Sequence, residues 1–176
     1  MPIREDEIDR LIKYAEGMGV KVKFFFTNNP LADAEWTLDG TEISIYHNKR
    51  QSKTDIILSL IHEIGHHVWF IHKKDRQPDL KFEQALDRQN LFDMDLSATP
   101  APKKFRKKIL DTEKDATVWW NIIYKDTNLK IPKWKLDVAK KFDIWAYEVY
   151  YKTGFFPNKK EKKMKHKELT MEFKNK

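Results

Sequence analysis

Cysteine is absent from this chain of 176 residues. That excludes a disulfide framework and any thiolate metal site, and it fits a reducing, cytoplasmic setting. Long apolar runs are missing too. Lys, His or Glu interrupts every stretch before the ~18 residues that a membrane span requires, so no membrane partner is expected. The opening Met1-Pro2-Ile3-Arg4-Glu5-Asp6-Glu7 is charged where a secretory leader would carry its apolar core. Repeats and a Gly/Ser/Pro-rich linker are lacking as well, which leaves one domain of ordinary size as the expectation.

Positive charge is plentiful but unevenly placed. The formal net charge is +7, and eight Lys against three Glu after Phe156 account for +5 of it. Residues 1–156 therefore read as the folded domain and residues 157–176 as a Lys-rich, flexible, solvated tail. Binding of nucleic acid through that tail is a secondary reading.

The hydrophobic pattern gives the elements in order. Ile8, Leu11, Ile12 and Ala15 form one stripe of a helix over residues 3–17, which Gly17 and Gly19 end. Residues 20–27 alternate and are rich in β-formers, so they read as a strand. Two shorter strands, 34–38 and 42–46, flank Asp39-Gly40, a hairpin signal. Ser52-Lys53-Thr54-Asp55 has the form of a capping box and opens a helix to about Lys73 that is apolar nearly all round, hence central. A short helix over 80–89, a longer one over 103–124 and a last one from Pro132 to Thr153, stopped by Gly154, complete the reading. The fold class is α+β, a small three-stranded sheet packed on the central helix with further C-terminal helices.

That central helix carries His62-Glu63-Ile64-Gly65-His66. Histidines four apart share one helix face about a turn from each other, so both imidazoles reach one ion. Glu63 lies ~100° round from His62, beside the ion rather than on it. Two ligands, an open water position and an adjacent base are what a hydrolytic zinc site needs. With 6 His and 12 Glu in the chain, the pattern arises by chance about 0.014 times.

Such a site takes a third protein ligand. Glu113 falls on the stripe Phe105, Ile109, Ala116, Trp120, where a buried carboxylate is costly unless a cation compensates it. His72 is the rival, since His62, His66 and His72 have the spacing of H-E-x-x-H-x-x-G-x-x-H. Trp69 stands at the glycine of that pattern, and on a continuing helix His72 is ~9 Å farther on and ~240° round from His66.

The order of elements around His62-Glu63-Ile64-Gly65-His66 resembles the zincin fold, and more narrowly the ImmA/IrrE-type metallopeptidases. The run Glu113-Lys114-Asp115-Ala116-Thr117-Val118-Trp119 is similar to that family's E-x-E-A-x-x-[FW] segment, with Asp115 where a second Glu is common. The resemblance spans roughly residues 43–124. It implies one Zn2+ held by His62, His66 and Glu113, with Glu63 as general base on the zinc-bound water, in an endopeptidase acting on an intracellular protein or peptide. The substrate strand is expected to lie along Glu42, Ile43, Ser44 and Ile45. Tyr46, His47, Tyr124 and Tyr147 are candidates for oxyanion or substrate contact. Two alternative functions accompany this one: a zincin-fold binding or regulatory protein of a phage or mobile element, and a protease recruited to DNA by the basic tail.

Overall fold

The computed structural model describes residues 3–28, 34–37, 40–72 and 102–174. The expected helix at 80–89 lies outside them. In chain order the elements are α1 (Ile3–Gly17), β1 (Lys21–Phe26), β2 (Ala34–Trp36), β3 (Glu42–His47), α2 (Lys53–His72), α3 (Lys103–Asp126), α4 (Lys133–Thr153) and α5 (Lys159–Lys174). This is an α+β arrangement of five helices with one small mixed sheet. None of these helices is long and apolar enough to cross a membrane.

The described chain forms two compact units. The first holds α1, the sheet, α2 and Asp115–Lys130; the second holds α3 up to Lys114 and the chain from Ile131 onward. The division falls inside α3, a single continuous helix.

In the first unit the sheet order is β1-β3-β2, with β1 parallel and β2 antiparallel to β3. The register sets Val22, Phe24 and Phe26 beside Ile43, Ile45 and His47 on one face, with Ala34 and Trp36 on the same face. Ile43 and Ile45 are buried there, as are Ile57, Leu60, Ile61, Ile64 and Val68 of α2. Gly40, with φ 72°, makes the turn between β2 and β3. Ser52 caps α2 as its sequence indicates: Asp55 N–H donates to Ser52 Oγ at 3.2 Å, and Ser52 N–H donates to Asp55 Oδ2 at 2.8 Å. Glu7 of α1 is 2% exposed and accepts from the Lys130 N–H, while Arg10 donates to the Asn128 carbonyl. These bonds tie the first helix to the segment that follows α3.

The second unit buries Ile109, Leu110, Leu136, Val138, Ala146, Tyr150 and Leu169. Gly154, left-handed at φ 82°, closes α4 by donating to the Tyr150 carbonyl. The Lys-rich end is helical rather than a flexible tail. Asn158 Oδ1 accepts from Lys160 N–H and Glu161 N–H, and Glu161 returns a carboxylate oxygen to Asn158 N–H at 2.7 Å. That capping box, the Lys165–Glu168 pair at 2.7 Å and the burial of Leu169 against α4 outweigh the composition.

Candidate metal centre

The site is built on α2. That helix buries Ile57, Leu60, Ile61, Ile64 and Val68 along one stripe and carries His62, Glu63 and His66 on other sides. The Nε2 atoms of His62 and His66 point at one another across 3.0 Å. A four-coordinate ion with bonds of ~2.0–2.1 Å to nitrogen holds its ligand atoms about 3.3 Å apart. The two imidazoles are therefore already close to chelating separation. Glu113 of α3 is 5% exposed, and its carboxylate joins them: the three ligand atoms lie within 4.8 Å of one another. His62, His66 and Glu113 could hold a metal ion, and two imidazoles with one carboxylate suit a borderline first-row cation. The cation would compensate the burial of the Glu113 carboxylate.

α3 reaches this position because its near side is small. Ala116, one turn after Glu113, is fully buried, and its carbonyl oxygen would be 2.7 Å from a Cβ on Gly65. Glu63 is 6% exposed, and its Oε1 is 4.0 Å from His62 Nε2. The carboxylate thus stands beside the nitrogen that faces His66.

His72 does not join the group. α2 runs on through it, its Nδ1–H donates to the Val68 carbonyl at 2.8 Å, and its ring rests on Trp119. Of the two candidate third ligands the structure brings in Glu113.

Two tryptophans, neither of which the motif spacing singles out, frame the histidines. Trp36 of β2 lies nearly parallel to His66, centroids 6.3 Å apart and planes at 13°. Its Nε1–H donates to His67 Nδ1 at 3.4 Å. Since His67 Nδ1 accepts, its Nε2 carries the proton and donates to the Met18 carbonyl at 3.3 Å. Burial holds this imidazole below the ordinary histidine range, against the opposing pull of the Met18 bond. Trp120, two turns after Glu113 on the same stripe, sets its ring edge-on to His62 at 5.5 Å. No local signal points to Trp36, because its phase with Ile43 and Ile45 is set by the strand register.

Several expected contacts are elsewhere. β3 is the central strand, hydrogen-bonded on both sides, so Glu42, Ile43, Ser44 and Ile45 have no free edge for an added peptide. The substrate-strand expectation is corrected on that ground. Tyr46 points to the face opposite Ile43 and Ile45, where its hydroxyl donates to Glu35 Oε1. Burial, and then this bond, push its pKa up. His47 is at the far end of β3 between the rings of Phe24 and Phe26. Tyr124 is ~16 Å along α3 from Glu113. Tyr147 belongs to the second unit and packs edge-on against Phe156.

No family model matches the sequence, and the searches of curated proteins and of solved structures also give no match.

Proposed function

We propose that this protein is a zinc-dependent endopeptidase of zincin-like type, akin to the ImmA/IrrE metallopeptidases. The observation that carries the reading is the convergence of His62, His66 and Glu113 with the Glu63 carboxylate beside them. Two histidines and one carboxylate fit zinc and leave a coordination position for solvent or substrate. A zinc ion held by His62, His66 and Glu113 would supply Lewis acidity toward a scissile carbonyl and an attacking water.

Glu63 then accepts the proton of the attacking water and returns it to the departing amine. His62 and His66 are held in place, His66 by the indole of Trp36 and His62 by that of Trp120. The peptide lies along β2 rather than β3, because β2 ends the sheet among the described residues and its Trp36 touches a ligand histidine.

The test is zinc content together with cleavage of an unstructured protein such as casein, for wild type and Glu63→Gln. The reading expects one zinc per chain in both and cleavage lowered ~10²–10⁴-fold in the variant. A wild type without stoichiometric metal, or equal cleavage by the two, ends the proposal. Metal bound without cleavage by the wild type favours a binding role.

A further inference from the structure

The outer edge of β1 carries a run of exposed aromatic side chains. Lys21 N–H donates to the Thr41 carbonyl and Thr27 N–H to the His47 carbonyl, both at 3.0 Å. Strand alternation therefore turns the backbone of Lys21, Lys23, Phe25 and Thr27 toward β3 and that of Val22, Phe24 and Phe26 outward. Among the described residues no strand lies beyond β1. Three phenylalanines crowd this edge, with Phe24 39%, Phe25 41% and Phe26 57% exposed. Phe24 and Phe26 flank His47 on one face, and Phe25 stacks on Tyr46 on the other. Neither proline nor a charge interrupts residues 24–26, the usual protections of an edge.

We infer that β1 is a homodimer edge, pairing antiparallel with β1 of a second copy across a two-fold axis at Phe24. The residue pattern of β1 is self-complementary in one antiparallel register, and that points to a second copy as the occupant. Both lysines of β1 are at its N-terminal end, so only antiparallel pairing keeps them from their counterparts. Centred on Phe24, all three outward residues find outward partners: Phe24 meets Phe24, and Val22 meets Phe26 in each direction. Lys23 then lies opposite Phe25 of the second copy, its ammonium kept on Glu42 of its own chain, and Lys21 faces Thr27. A register centred on Val22 would instead set Lys21 against Lys23, like charges directly opposed. The product is one continuous six-stranded sheet with an isologous contact. An interface of a single strand and its aromatic fringe is small, so the dimer forms with rising concentration rather than permanently.

Sedimentation of the full chain over a wide concentration series tests this. The mass should climb from 21.2 kDa toward twice that value, and Phe24→Lys should raise the dissociation constant roughly tenfold or more. A second measurement uses the cysteine-free background. Phe24→Cys places the only two thiols of the dimer on opposed residues, with Cα atoms ~5.5 Å apart, so a short thiol cross-linker yields a covalent dimer. Phe26→Cys places them ~14 Å apart along the strands and does not. A mass constant at the monomer value, a dimer indifferent to Phe24→Lys, or equal cross-linking of the two cysteine variants overturns the inference. So does a monomer whose β1 edge instead takes up an added extended peptide.

Discussion

A Cβ on Gly65 would stand 2.7 Å from the carbonyl oxygen of Ala116 and 3.2 Å from the indole of Trp120. The two helices that carry the candidate ligands thus touch through backbone at a point between His62 and His66. Mid-helix glycine costs about 1 kcal/mol relative to alanine, and here that cost secures the closeness of α2 and α3.

Gly65→Ala should accordingly destabilise, although propensity alone favours it. The methyl meets backbone, which yields less readily than a flexible side chain, and overpacking of this kind costs about 1–3 kcal/mol. Denaturant unfolding should show a lower midpoint, and metal titration a weaker affinity as Glu113 is pushed from the histidines. An unchanged midpoint would mean that the helices part without cost.

Metal should act as a folding ligand. Zinc at about a hundredfold excess over its dissociation constant adds ~2.7 kcal/mol to a protein that binds it only when folded. Unfolding with zinc and after chelation should therefore differ in the wild type and in His72→Ala. The difference should vanish in His62→Ala and shrink in Glu113→Gln. A variant at His72 that loses the difference would restore His72 as a ligand.

Trp36 makes two contacts that one substitution separates. Trp36→Phe keeps a ring against His66 but leaves His67 Nδ1 without its donor, an expected cost of about 1 kcal/mol with zinc content unchanged. Trp36→Ala removes the stack as well and should weaken metal affinity too. Equal zinc affinity in all three proteins would reduce Trp36 to packing.

The legible parts of this chain were those set by local rules. Residues 3–17, the Ser52 cap, the turn at Gly40 and the stop at Gly154 follow from periodicity and from which residues tolerate a cap or a positive φ. The spacing of His62 and His66 carried half of the candidate site, and the stripe position of Glu113 carried its third member. What stayed hidden depended on pairing order and on lateral packing. Nothing local says that β3 is central, so Glu42–Ile45 could be read as an edge that β2 and β1 in fact cover. The approach of Trp36 to His66 likewise follows from the sheet order. Composition misled at the C-terminus, where eight lysines masked the cap Asn158-x-x-Glu161 and the single apolar anchor Leu169.

That anchor separates two accounts of the basic end. If α5 is a packed element of the second unit, Leu169→Ala should cost about 2–3 kcal/mol, since its side chain is 3% exposed. Joint replacement of the exposed Lys159, Lys160, Lys163 and Lys167 by Gln should stay within ~0.5 kcal/mol per site. If α5 is instead an arm for nucleic acid, the same four changes should abolish a DNA affinity that falls steeply with salt. Deleting residues 157–176 cannot distinguish these accounts, because it removes the anchor together with the charge. The expected outcome is the first: a stability loss confined to Leu169→Ala, and no salt-dependent retention of either protein on duplex DNA. Retention of the wild type that the lysine replacements eliminate would reverse the assignment and make α5 a binding surface as well as a packed helix.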